Sequence, residues 1–167
     1  MYDRLTRQDV EKMEKELEHR KLVVRKEALE DVKEARAQGD LSENFEYKAA
    51  KKVKNRNESR IRYLERMIKT ATVIDVSSNA DEIGLFGKVT IYIEEDDEEQ
   101  TIELVTTLRQ NALKGLISKE SPVGKAVMGH KKGDRVTVHV SETYSYDIVI
   151  RDVQKGSDDE SLPISSY

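Results

Sequence analysis

The 167-residue sequence contains neither cysteine nor tryptophan. Without cysteine there is no disulfide scaffold, no thiolate chemistry and no cysteine-type zinc site. Histidine is scarce: His19, His130 and His139 stand alone, with no spacing suited to a shared metal, so any ion must be held by oxygen. Long apolar runs are also missing. Nothing approaches the ~20 residues a membrane-spanning helix requires, and Met1 to Val10 is too polar for a secretory core segment. A cytoplasmic protein with no membrane partner is the expectation. Proline and glycine are unevenly withheld: Pro122 and Pro163 both lie late in the chain, and Gly39 is the only glycine before Gly84.

What is abundant is charge. Hydrophobic and charged residues each make up 37% of the chain, and the net charge of −4 conceals two unlike halves. Residues 1–75 carry 19 Lys and Arg against 16 Asp and Glu, whereas residues 76–167 carry 10 against 17. The slightly basic half lacks helix breakers and the acidic half holds most of them, so two architectures are expected.

The first half reads as two helices. From Thr6 to Gln38 strong helix formers dominate, and Val10, Met13, Leu17, Val24, Ala28, Val32 and Ala35 form one narrow apolar stripe. A second run, Glu43 to Lys69, places Ala50, Val53, Ile61, Leu64 and Ile68 on another. Narrow stripes bury a seam, as in a two-helix coiled coil, and leave the other faces charged. A short connection near residue 40 predicts an antiparallel hairpin whose facing residue numbers add to about 81. Ala28 then meets Val53, and Leu17 meets Leu64; Val24 facing Asn57 and Arg20 facing Ile61 are two weak places.

At the turn, Gly39 stops the first helix, since glycine accepts a backbone that other residues avoid. Asp40 and Glu43 follow in the pattern of a capping box for the second helix. Two adjacent exposed carboxylates are also hard oxygen ligands suited to Mg²⁺, although an octahedral ion needs further ligands from a substrate or partner.

The second half has a strand rhythm. Alternating β-branched runs occur at 88–93, 101–105, 135–140 and 146–150, with turns between them. The acidic run 94–99 is a solvated hairpin loop, and Ser121-Pro122 is the N-cap and first residue of a short helix. The whole is α+β: an antiparallel two-helix coiled coil over 1–75 with its acidic tip at 39–47, then a small antiparallel-sheet domain over 76–155. Residues 156–167 read as a disordered tail.

Glu34-Ala35-Arg36, the run from Gly39 through Asp40, Leu41, Ser42, Glu43, Asn44, Phe45 and Glu46 to Tyr47, and Ala49-Ala50 together resemble the tip signature of the GreA/GreB family of bacterial transcript-cleavage factors. The resemblance continues through Ser121-Pro122-Val123-Gly124-Lys125-Ala126 to Gly133-Asp134. It implies a coiled coil that enters the secondary channel of bacterial RNA polymerase and an FKBP-like second domain that docks on the channel rim. Asp40 and Glu43 would then stand beside the polymerase active site and help retain a second Mg²⁺, the ion being supplied by the polymerase and not held tightly by the free protein. The factor would be an activator of the polymerase's own nuclease, not an enzyme, and would act as a monomer on the nascent RNA 3′ end. Gly39, Ser42, Asn44 and Tyr47 would support the tip, and Lys51, Lys52 and Arg56 would attract extruded RNA through its phosphates. Glu120, Ser121 and Pro122 are the implied docking loop.

The chain departs from the family pattern at Lys26, at 106–111, at 141–145 and in its tail. Two other readings therefore accompany the first: a non-cleaving regulator of the secondary channel built from the same parts, and a free-standing coiled-coil chaperone or prolyl isomerase.

Overall fold

A computed structural model describes residues 4–39, 43–75, 81–159 and 161–164. The chain forms two compact units, one of residues 10–71 and the other of residues 4–9 together with the chain from Thr72 onward.

The first unit is the helical hairpin. Strand β1 (Arg4–Leu5) leads into helix α1 (Arg7–His19), a single π-helical turn (Arg20–Val24) and helix α2 (Arg25–Ala37); helix α3 (Phe45–Thr70) returns alongside. Ala28 and Ala35, one heptad apart on α2, and Ile61 and Leu64 on α3 are buried, as a coiled-coil seam requires. Polar pairs cross the antiparallel seam: Arg20 with Asn57, Arg25 with Glu58 and Arg60 with Glu16, so that Arg20 reaches Asn57 and not Ile61.

Two details differ from the sequence expectation. Val53, expected in the seam, is exposed, while Asn57, expected there as a weak place, is buried. The weak place at Arg20 is resolved by the π turn, where the Arg25 N–H reaches back five residues to the Arg20 carbonyl. That carbonyl also accepts from Asn57 Nδ2 at 3.3 Å, while the Arg20 guanidinium donates to Asn57 Oδ1 at 3.0 Å. Local unwinding thus satisfies a buried amide that regular helices would have left short of partners.

The second unit is a five-stranded sheet in the order β5-β4-β3-β7-β6. Its strands are β3 (Lys88–Ile93), β4 (Glu98–Val105), β5 (Leu116–Ser118), β6 (Arg135–His139) and β7 (Ser145–Gln154). All neighbours pair antiparallel except β4 and β5, which are parallel. Alternation buries Val89, Ile91, Ile102, Leu104, Val136, Val138, Ile148 and Ile150 in one core, closed by Val127 of helix α4 (Pro122–Val127) and by Ile83. A separate parallel pair joins β1 to β2 (Thr72–Val73), which explains why residues 4–9 belong with this unit. Among the described residues no helix is long and apolar enough to cross a membrane.

The C-terminal residues are a correction. Residues 156–159, expected within a disordered tail, lie against this unit: the Asp158 carboxylate accepts from Arg109 Nη1 and, at 3.0 Å, from the Thr6 hydroxyl. Leu162 packs on a small cluster of Phe86, Val105 and Leu116. Arg109 itself is fully buried, its Nε donating to Asp9 Oδ1 at 2.5 Å. Burial opposes its charge, but its hydrogen bond to Asp158 and the charge of Asp9 prevail, and its pKa is raised.

Candidate functional site

The turn between α2 and α3 carries the residues singled out in the sequence. Asp40 and Ser42 lie outside the described residues; Gly39, Glu43, Asn44 and Tyr47 lie within them. Helix α2 ends at Ala37, with Gln38 as its C-cap, and Gly39 then takes φ +149°, a backbone that disfavours any residue with a side chain.

The N-cap of α3 is Asn44, not Asp40. Asn44 has extended backbone angles, and its Oδ1 accepts the Tyr47 N–H at 3.0 Å. Its Nδ2 donates to the Ala35 carbonyl at 2.6 Å, across the turn. One amide therefore satisfies an orphan donor at the start of α3 and reaches a carbonyl in the last turn of α2. A carboxylate could perform only the first task, because it has no N–H to give. This is the physical reason the cap falls on Asn44. The capping-box reading of Glu43 fails with it, since Glu43 precedes the cap. Its side chain is exposed, and it stands as an available oxygen ligand at the turn.

Tyr47, in the first turn of α3, faces Arg36 of α2. The Arg36 guanidinium lies 5.6 Å from the ring centroid and donates to the phenol oxygen at 3.5 Å. Arg36 lowers the phenol pKa, with further contributions from Lys51 and Lys54. Lys51, Lys52 and Arg56 are all exposed. With 100° of rotation per residue, Lys51 shares the side of α3 that carries Tyr47, while Lys52 and Arg56 share the face of Phe45. Phe45 is 80% exposed and has the Lys48 ammonium 5.7 Å from its ring centroid.

Glu120, Ser121 and Pro122 lie in the second unit, where Ser121 is the N-cap of α4 and Pro122 its first residue. The Ser121 Oγ accepts the Gly124 N–H at 3.0 Å and donates to the Ser118 carbonyl at 2.7 Å. A Cβ on Gly124 would stand 2.2 Å from that same carbonyl, so the helix packs on the loop only with glycine there. Glu120 and Pro122 are exposed. Among the described residues no group of three or more acidic or histidine side chains could hold a metal ion. The exposed Glu43 carboxylate is a hard oxygen donor of the kind that suits Mg²⁺.

Comparison with known proteins covers both units. Residues 4–73 match the GreA/GreB family model described as transcription elongation factor, N-terminal, and residues 77–155 match that for the GreA/GreB C-terminal part. The chain is 40% identical over 145 residues to the transcription elongation factor GreA of Mesomycoplasma hyopneumoniae strain 7448, covering 87% of this chain and 91% of that protein. It is 43% identical over 152 residues to the GreA of Streptococcus gordonii, covering 90% and 94%. Among solved structures, GreA factor homolog 1 of Thermus thermophilus aligns at 25% identity with a TM-score of 0.44, covering 93% of this chain and 100% of that one.

Proposed function

Because the chain belongs to the GreA/GreB family of transcription elongation factors, we propose that it binds bacterial RNA polymerase through the secondary channel and stimulates the polymerase's own cleavage of backtracked nascent RNA. The observation that carries this reading is a hairpin turn cross-tied by Asn44, with the Glu43 carboxylate exposed beside the tie. Asp40 and Glu43 would complete the coordination of a Mg²⁺ that the polymerase supplies. When bound, such an ion acts as a Lewis acid toward water and phosphoryl oxygen.

The chain's own residues do the positioning. Asn44 joins the two helices at the turn, so Glu43 is presented from a defined backbone and its geometry is set before the partner is met. The Arg36–Tyr47 pair steadies the same turn from its other side. Lys51, Lys52 and Arg56 attract the phosphates of the RNA independently of its sequence, and the loop of Glu120, Ser121 and Pro122 docks the second unit on the channel rim.

The test uses stalled, backtracked elongation complexes with Mg²⁺. The full chain should release short 3′ RNA fragments, and Asp40→Asn or Glu43→Gln should slow release ~100-fold or more while leaving binding intact, as expected when several kcal/mol of ion stabilisation is lost. Binding by the wild-type protein without release would overturn the cleavage reading.

A further inference from the structure

We propose that Phe45 is a stacking platform for a nucleobase at the 3′ end of the RNA, an assignment that rests on the reading in the preceding subsection. The chain has two phenylalanines, and they are used in opposite ways: Phe86 is 1% exposed and Phe45 80%. Phe45 is the first residue of α3, immediately after Asn44, whose bonds to the Tyr47 N–H and the Ala35 carbonyl fix the backbone on which the ring is carried. The ring makes no contribution to the hairpin seam.

Its surroundings on the helix point to a ligand. Turning 100° per residue, positions 52 and 56 fall within about 20° of position 45, one on either side, and position 48 within about 60° of it. That face therefore presents one aromatic ring followed by Lys48, Lys52 and Arg56, all exposed. Ala49, also exposed, lies on the same face and adds only a methyl group beside the ring. No acid interrupts the group. The Lys48 ammonium lies 5.7 Å from the ring centroid, so a cation able to meet a phosphate stands beside the aromatic face.

An aromatic platform with cations trailing from it along one line is the pattern of sequence-tolerant single-strand recognition, in which the base stacks and the backbone follows the charges. An apolar patch on a protein partner would be met by any bulky side chain and would gain nothing from three flanking cations. Phe45 is thus assigned to hold the terminal base next to Glu43, which makes it a substrate-binding residue and not a ligand of the ion.

The experiment places 2-aminopurine at the RNA 3′ terminus of a backtracked complex and follows both its fluorescence and fragment release on addition of the full-length protein. Wild type and Phe45→Tyr should quench the fluorescence. Phe45→Leu should leave it unquenched and should slow release roughly tenfold, the scale of one lost base–aromatic stack. Equal quenching by wild type and Phe45→Leu overturns the assignment. So does a weaker affinity of Phe45→Ala for the complex that Phe45→Leu restores, which would show a protein contact instead. Phe45-dependent quenching without fragment release supports the platform and overturns the cleavage reading; release without such quenching does the reverse.

Discussion

Arg60 in the helical hairpin and Arg109 in the sheet unit are both buried and clamped by carboxylates, yet the carboxylates differ in how much water they keep. Arg60 donates two hydrogen bonds to Glu16, at 2.9 and 3.1 Å, and Glu16 also receives Arg20 at 2.7 Å while keeping 22% of its side chain in water. Arg109 and Asp9 have no exposure at all, and Asp158 closes the other side. The first cluster exchanges hydration for directional bonds at little cost and aligns a seam that has little apolar surface to align it. The second has given up its hydration entirely and depends on every partner being present. Narrow-seamed helices are therefore registered by polar pairs, whereas the sheet unit, already held by its apolar core, uses a buried ion cluster to pin segment 4–9 and residues 156–159 to the loop at Arg109.

Removing one partner from each cluster should separate the two most widely. Arg109→Met removes the cation beside the buried Asp9, and should cost about 3–5 kcal/mol in urea unfolding; a loss under 1 kcal/mol would show that water reaches the cluster. Arg60→Met should cost about 1–2 kcal/mol, because Glu16 keeps Arg20 and solvent. If the two losses are equal, the contrast in burial has no energetic meaning.

A smaller effect concerns pH. Burial would raise the pKa of Glu16, but hydrogen bonds from Arg60 and Arg20 outweigh it, and the net shift is downward from 4.5. A lowered carboxylate pKa stabilises the fold above the unfolded value, and that contribution is lost as pH falls through the folded value. The stability difference between wild type and Glu16→Gln should therefore be present at pH 7 and shrink below about pH 4.5. A difference that stays constant down to pH 3 would contradict the role given to these bonds.

The hairpin was legible because its signal is local. Propensity and a repeat of seven mark both helices, and a short connection sets the register. The cap at Ser121 was legible for the same reason: Ser-Pro followed by Gly124 satisfies its needs within four residues. The cap at the hairpin turn was misplaced because Asp40 and Asn44 are both good N-cap residues by sequence. A bond from Asn44 to Ala35, nine positions away, marks the difference. Strands β1 and β2 are two residues each and β5 is three, too short for any alternation to register. Phe45 carried a sequence signal that went unread, an aromatic seven and eleven positions before a lysine and an arginine on one helical face.

By itself, the sequence determined the division into a charged helical half and a strand-rich half and the family signature at the turn, since these depend on residue type and short spacing. Tertiary structure decided which amide ties the turn and where Arg109 finds its carboxylates. It also showed that residues 156–159 pack against the sheet unit. Asp9 and Asp158 lie 100 and 49 positions from Arg109, and no periodicity reaches that far; only the closure of the fold brings such groups within hydrogen-bonding distance.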